Sequence, residues 1–169
     1  NKMNKKRAID HLVYVVPDLK KAMNWFEKKL GCQVIFGGYH TTQGTKNALI
    51  NLGNQQYLEI LAIDETSSIP APRWMGVDVL ETPQLTRWSL KSTDLQNDSQ
   101  ILQKYNREMG KIQGGQRKNN SGDLLTWQMI MPLAEPAVEI VPFITDWQKS
   151  TVHPTDQLPE ECQLIDLKF

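Results

Sequence analysis

Hydrophobic and polar residues alternate over residues 9–16, which predicts a β-strand with His11 on one of its faces. Asp18 is well placed to cap a helix, and apolar residues at helical spacing predict that helix over residues 19–30. Gly31 supplies the left-handed stop that ends it. Three more strands are predicted, at about residues 33–36, 47–52 and 55–63. The first part of the chain therefore predicts a βαβββ unit.

The second half of the chain repeats this pattern in the same order. Residues 85–92 match residues 9–16, which places Arg87 at the position of His11. Residues 137–141 match residues 57–61, which places Glu139 at the position of Glu59. The repeat predicts a second helix and three further strands, near residues 111–117, 124–131 and 137–143. A repeat of this length indicates two modules that share one core.

Proline and serine residues at 64–83 predict a surface connection between the two modules. We therefore predict one α+β domain over residues 8–154, built from two paired βαβββ modules. Module one spans residues 8–64, the linker 65–83, and module two 84–147. Residues 155–169 form a looser tail whose last segment alternates, as an edge strand or the first strand of a further module would.

The charge and the apolar content of the chain argue against binding to nucleic acid or to a membrane. Nineteen basic and nineteen acidic residues cancel, so no overall field attracts nucleic acid or an anionic membrane. No apolar run is long enough to span a bilayer, and the first residues lack the apolar core of a signal peptide. We expect a cytoplasmic protein that binds neither nucleic acid nor membrane. Cys32 and Cys162 lack metal-site spacing and are expected to be structural thiols.

Several motifs follow one another in order and are duplicated in register. They are Ile9-Asp10-His11-Leu12-Val13, Gly38-Tyr39-His40 with Gly44-Thr45 and Asn47-Ala48-Leu49, Tyr57-Leu58-Glu59-Ile60, and Pro142-Phe143-Ile144-Thr145-Asp146-Trp147. Together they resemble the vicinal oxygen chelate superfamily and its glyoxalase-like domains of bacterial proteins. The resemblance covers residues 9 to about 154. It implies that the two modules form an open, half-barrel sheet around a central cavity.

The resemblance also implies a metal site on the first and last strands of each module. Carried over by position, its residues are His11, Glu59, Arg87 and Glu139, and we expect their side chains to converge on one cavity. Arg87 departs from the pattern, because many metal-binding relatives have histidine there. An arginine about 4 Å from a dication repels it by about 8 kcal/mol at an effective dielectric constant of about 20.

Two interpretations of these four residues stay open. In one, Arg87 neutralises the two carboxylates by hydrogen bonding between them, and the protein needs no cofactor. In the other, His11, Glu59 and Glu139 hold a divalent ion with open positions for a substrate that has two adjacent oxygens. The charge of Arg87 favours the first interpretation.

Other residues are candidates to line the cavity. His40 follows two glycines in a loop and would suit proton transfer at neutral pH. Asn47 lies in the strand that follows, and Trp127 lies in the corresponding strand of module two. His40 and Glu139 are the candidate catalytic residues. The predicted ligand-binding set is His11, His40, Asn47, Glu59, Arg87, Trp127 and Glu139.

Three functions fit this sequence. The first is a metal-free protein that binds a small polar organic molecule between the modules. The second is a metal-dependent lyase or isomerase acting on a vicinal-dioxygen substrate, and the third is an antibiotic-sequestering resistance protein. The sequence does not decide whether the protein is an enzyme. Its modules could pair within one chain or swap between two, and a homodimer is a candidate assembly.

Overall fold

The computed structural model describes residues 7–169, and eight strands of this part form one sheet. The two modules are seen as predicted, each with the order βαβββ, so the α+β fold class is confirmed. Along the sheet the strands lie in the order β2, β3, β4, β1, β5, β8, β7, β6. The elements are β1 (Ile9–Val15), α1 (Leu19–Leu30), β2 (Ile35–His40), β3 (Thr45–Asn51), β4 (Tyr57–Ile63), β5 (Gln84–Lys91), α2 (Leu95–Tyr105), β6 (Ile112–Lys118), β7 (Leu124–Ile130) and β8 (Phe143–Asp146).

The modules meet through β1 and β5, which pair antiparallel within one chain. The two outer edges of the sheet then come together, because Arg117 of β6 donates to the carbonyl of Gly37 in β2 at 2.6 Å. Gly38 has a φ of 149°, and a Cβ there would lie 2.7 Å from the carbonyl oxygen of Lys118. Glycine is therefore needed where the edges meet. The sheet is a nearly closed barrel whose concave face surrounds the space between the modules.

The first helix begins and ends as its sequence predicts. The side chain of Asp18 accepts a hydrogen bond from the backbone N–H of Lys21 at 3.0 Å. Gly31 ends the helix in the left-handed conformation, with a φ of 65°. Phe26 is buried among the apolar residues of module one, so the helix packs against the convex face of the sheet. Within residues 7–169, no helix is long and apolar enough to cross a membrane.

Two predicted strands are wrong. Residues 137–141 run irregularly, and the last strand of module two lies instead at Phe143–Asp146. The guanidinium of Arg87 donates hydrogen bonds to the backbone carbonyl oxygens of Leu133, Pro136 and Ala137. These carbonyl groups are therefore not available to pair with a neighbouring strand. The tail at 162–169 forms no strand either. Its Leu164 makes a backbone bond to Leu52 at 3.1 Å, and its apolar side chains pack on the core of module one.

Candidate functional site

Polar side chains gather on the concave face of the sheet around a small enclosed cavity of about 20 Å³. We call this space the inner cavity. The aromatic rings of Trp74, Trp127 and Trp147 form much of its apolar wall. The polar side chains lining it are those of His11, His40, Asn47, Glu59, Arg117 and Thr145.

His11 is oriented by its neighbour in sequence. The β1–β5 ladder is irregular between Ile9 and His11, and this lets Asp10 reach the ring Nδ1 of His11 with its Oδ2 at 2.6 Å. Burial alone would raise the pKa of Asp10, but the hydrogen bond and charge of His11 and the charge of Lys91 lower it to about 2. Asp10 is thus ionised and accepts the Nδ1 hydrogen. The other ring nitrogen, Nε2, faces Glu59, whose Oε1 lies 3.9 Å away.

Glu59 is held from the other side by an amide. The Nδ2 atom of Asn47 donates to Oε2 of Glu59 at 2.6 Å. The Oδ1 atom of Asn47 is buried and has no hydrogen-bond partner among residues 7–169. A Cβ on Gly37 would lie 2.2 Å from this oxygen, so the glycine leaves room for the amide. An acceptor without a donor in an enclosed polar cavity is a group that a ligand can satisfy.

His40 is the second histidine of the inner cavity. Its Nδ1 shares a hydrogen bond with the Thr45 hydroxyl at 3.0 Å, and the indole N–H of Trp74 donates to the same hydroxyl at 3.0 Å. The Nε2 of His40 lies 3.7 Å from Oε2 of Glu59. Burial lowers the pKa of His40 to about 4, although the charge of Glu59 opposes this. His40 is therefore neutral at neutral pH.

Arg117 supplies the positive charge that the sequence assigned to Arg87. Burial lowers the pKa of the Arg117 guanidinium, and the nearby Tyr57 hydroxyl and Glu59 carboxylate oppose this. In the sequence repeat, Gly114-Gly115-Gln116-Arg117 matches Gly37-Gly38-Tyr39-His40, so Arg117 corresponds to His40, and both residues line the inner cavity. Arg117 was not named as a site residue, although this alignment was a usable signal.

Five of the seven predicted ligand-binding residues come together in the inner cavity: His11, His40, Asn47, Glu59 and Trp127. Arg87 and Glu139 do not, so the expected convergence is wrong for these two. They line a separate cavity of about 280 Å³ beside Trp88 and Phe169. Whether any of the seven binds a ligand stays a prediction.

The ladders explain the error. His11 lies opposite Ser89, so Ser89 and not Arg87 is its counterpart in module two. Tyr57 pairs with His11 in module one, and Phe143 pairs with Ser89 in module two. Glu59 is two residues after Tyr57, so its counterpart two residues after Phe143 is Thr145.

Arg87 has a structural environment instead. Its buried guanidinium donates to the carbonyl oxygens of Thr86 at 2.8 Å, Leu133 at 3.0 Å, Pro136 at 2.7 Å and Ala137 at 3.1 Å. Burial lowers the pKa of Arg87 to about 10, and the charge of Glu139 opposes this, so the side chain is still protonated at neutral pH. Arg87 thus ties β5 to the connection before β8.

A segment after the last strand covers the inner cavity, and we call residues 147–158 the cover segment. The rings of Trp147 and His153 lie 5.6 Å apart, and that of Trp147 lies 5.4 Å from Trp127. The indole N–H of Trp147 also donates to Asp10 at 3.1 Å. Trp147 separates the inner cavity from an outer cavity of about 440 Å³, also lined by Lys91 and His153. Thr145 and Trp147 belong to a motif that the sequence singles out, but they were not predicted as site residues because the last strand was placed at residues 137–143.

These features match a known domain. A family model described as a glyoxalase-like domain matches residues 9–167. The chain belongs to the glyoxalase-like domain family. A search of curated proteins found no match.

Solved structures share the fold of this glyoxalase-like domain at low identity. A hypothetical protein from Staphylococcus aureus aligns with a TM-score of 0.64 and 18% identity, over 94% of this chain and 66% of that chain. The chain thus spans just under two thirds of that protein. The Streptomyces coelicolor methylmalonyl-CoA epimerase, in complex with 2-nitronate-propionyl-CoA, aligns with a TM-score of 0.52 and 15% identity, over 85% of this chain and 96% of that chain. A hypothetical protein from Bacillus halodurans C-125 aligns with a TM-score of 0.55 and 13% identity, over 88% and 99%.

The residues of this glyoxalase-like domain do not fit the four-ligand metal site that the family resemblance implies. His11 and Glu59 are suitable ligands for a divalent ion. The two positions in module two carry Ser89 and Thr145, whose hydroxyls hydrogen-bond to each other at 2.7 Å. Neutral hydroxyls are weak replacements for an imidazole and a carboxylate. Arg117 adds a further positive charge at the cavity that a dication would meet.

Proposed function

We propose that this glyoxalase-like protein binds a small organic molecule with a hydroxyl or amide hydrogen and a carbonyl oxygen in the inner cavity, without a divalent metal. The observation that carries the proposal is the enclosed polar cluster of His11, Glu59, Asn47 and Arg117, with the buried Oδ1 of Asn47 left without a donor. Buried polar groups are normally satisfied, so this arrangement supports a ligand that supplies the missing partner.

Charge supports a ligand that is neutral overall. Asp10 is paired with Lys91 at 3.0 Å, and Arg117 offsets the charge of Glu59. His40 is neutral because burial lowers its pKa to about 4. A dication would make the net charge around the inner cavity strongly positive, whereas a neutral carbonyl compound leaves that charge unchanged. The carbonyl oxygen would accept from a donor such as Arg117, and a hydroxyl or amide hydrogen of the ligand would reach the Asn47 oxygen.

The cavity volumes indicate how such a ligand would enter. About 20 Å³ holds little more than one water molecule, so Trp147 must move for an organic molecule to bind. The outer cavity on the other side of Trp147 is large enough for a small organic molecule. The ligand would then pass through the outer cavity as the cover segment shifts. The solved relatives of this fold include an epimerase that carries an acyl-CoA analogue, which agrees with organic ligands in this fold.

The test is a thermal-shift screen of small neutral hydroxy-carbonyl and amide compounds and their carboxylate analogues, with EDTA present, followed by calorimetry on hits. A ligand at about 100 times its Kd should raise the Tm by about 5–10 °C. Glu59→Gln should abolish the Tm shift or raise the Kd measured by calorimetry at least about tenfold. Glu139→Gln is the matched control. Glu139 occupies the position of Glu59 in the sequence repeat, but only Glu59 lines the inner cavity. Equal loss in both variants would contradict the proposal.

A metal-dependent lyase or isomerase is the second candidate. It is favoured by the separation of 3.9 Å between His11 Nε2 and Glu59 Oε1, since both atoms can bind a divalent ion. Elemental analysis of protein purified without added metal distinguishes the two. Stoichiometric metal, together with ligand binding that EDTA abolishes, would support this candidate and contradict the metal-free proposal.

A further inference from the structure

The two cysteines of the chain lie together, although Cys32 follows α1 and Cys162 lies in the tail. The residues beside them are joined: the backbone N–H of Gln33 donates to Oε2 of Glu161 at 2.6 Å, across 128 positions of sequence. Cys162 packs against the apolar cluster that contains Cys32, so the fold brings the two cysteines into one part of the core. Two cysteines that are far apart in sequence but share one apolar cluster are a candidate pair for a disulfide bond.

We infer that Cys32 and Cys162 form a thiol pair that a small-molecule disulfide oxidises to one intrachain disulfide bond. In the first step the Cys162 thiolate attacks the small disulfide, forms a mixed disulfide and releases one small thiolate. In the second step the Cys32 thiolate attacks the Cys162 sulfur and releases the second small thiolate. The two protons of the cysteines pass to the two released thiolates. The protein loses two electrons and the small disulfide gains them.

Burial decides the order of these steps. Cys32 is buried, whereas Cys162 is partly accessible. Burial and the neighbouring Cys162 and Glu161 also raise the pKa of the Cys32 thiol to about 12. Cys162 is therefore the thiol that reacts first, and Cys32 is the resolving thiol.

The disulfide would fix the tail to module one. The tail is already held by the backbone bond from Leu164 to Leu52 and by the bond from the Asn51 side chain to the carbonyl of Leu158 at 3.1 Å. A crosslink closing so long a loop removes much of the freedom of the unfolded chain. We therefore expect the oxidised form to have a Tm about 4–16 °C above that of the reduced form.

The test exposes the reduced, full chain to oxidised glutathione at pH 8, followed by intact-mass measurement and non-reducing peptide mapping. We expect the wild type to lose the mass of two hydrogen atoms and to yield a peptide that joins Cys32 to Cys162. No disulfide should link two chains. Cys32→Ala should instead stop at a stable glutathione adduct on Cys162. Cys162→Ser should leave Cys32 unmodified in the folded chain.

Three results would overturn the inference. The wild type could retain both thiols, accumulate the Cys162 adduct as the Cys32→Ala variant does, or form dimers linked through Cys162. Neither cysteine lines the inner cavity, so these outcomes leave the proposed ligand function untouched. Mass measurement of the wild type alone is decisive even if one variant folds poorly.

Discussion

Ser89 lies directly opposite His11 where the two modules join, and its hydroxyl bonds to Thr145 at 2.7 Å. Module two thus presents a neutral hydroxyl pair where module one presents an imidazole and a carboxylate. The imidazole–carboxylate pair of the inner cavity therefore comes from module one alone, whereas module two contributes the cation Arg117. This asymmetry also identifies the positions at which a metal site could be built.

The double variant Ser89→His, Thr145→Glu should acquire a divalent metal site. It adds the missing nitrogen and carboxylate beside His11 and Glu59, and the added carboxylate offsets part of the charge of Arg117. We expect about one zinc or nickel ion per chain after dialysis, measured by elemental analysis, against far less in the wild type. Arg87→His is the matched control and should gain none, because residue 87 lies at a different cavity. Tight metal in the wild type would contradict this.

Arg87→Ala should lower the free energy of unfolding by about 3 kcal/mol, because buried carbonyl oxygens lose their donor. Carbonyl groups do not titrate, so the loss should be the same at pH 7.5 and pH 5.5. Urea denaturation at both pH values measures it, with Arg87→Lys as a variant that keeps the charge but not the forked geometry. A penalty that shrinks at the lower pH would show that Arg87 neutralises a carboxylate, as the sequence first indicated.

Local periodicity predicted most of the elements, since strands and helices bury one face and leave one face polar. The strand around Arg87 and the helix that Asp18 caps were confirmed for this reason. Residues 137–141 alternate equally well, but Arg87 occupies carbonyls just before them and the chain pairs only from Phe143. Arg87 is about 50 residues away from these carbonyl groups in sequence, and the alternation of residues within one segment does not reveal such a distant contact.

The site was predicted in part for a related reason. Sliding a strand by two residues keeps every side chain on the same face, so alternation cannot distinguish Ser89 from Arg87 as the partner of His11. The module-one residues His11 and Glu59 do line the same cavity, because the strands that carry them pair directly in parallel. Arg117 reaches the site because the two sheet edges meet, and the only sequence signal for this was its match with His40 in the repeat.

Acid should destabilise the wild type through His40. The pKa of His40 in the folded chain is about 4, below its ordinary value of 6.5, so the unfolded chain binds more protons between these values. The stabilising effect of keeping His40 neutral is present above about pH 6.5 and is lost as pH falls towards 4.

We expect the wild type to lose about 3 kcal/mol more than His40→Gln between pH 7.5 and pH 4, by chemical denaturation. His153, whose pKa is also lowered to about 4, should still give the variant some pH dependence. The stability of the double variant His40→Gln, His153→Gln should depend less on pH than that of the wild type or of His40→Gln. Identical pH profiles for wild type and His40→Gln would show that His40 is not buried in its neutral form.

Asp10→Asn tests the carboxylate that orients His11. The pKa of Asp10 is about 2 in the folded chain, below its ordinary value of 3.8, so ionised Asp10 contributes about 2 kcal/mol to stability at neutral pH. This contribution is present above about pH 3.8 and is lost as pH falls through 2. The variant should therefore be about 2 kcal/mol less stable than the wild type at pH 7 and pH 5, with a smaller difference at pH 3.

Urea denaturation at these pH values measures the difference. Asp18→Asn is the matched control, because Asp18 is an exposed helix cap and asparagine caps helices as well as aspartate does. It should change stability by less than about 0.5 kcal/mol. The variant at residue 10 should also weaken ligand binding, since asparagine accepts the Nδ1 hydrogen of His11 without a charge and holds its Nε2 less firmly towards Glu59. Unchanged ligand affinity together with lost stability would mean that Asp10 supports the fold through Lys91 and Trp147 and does not position His11 for the ligand.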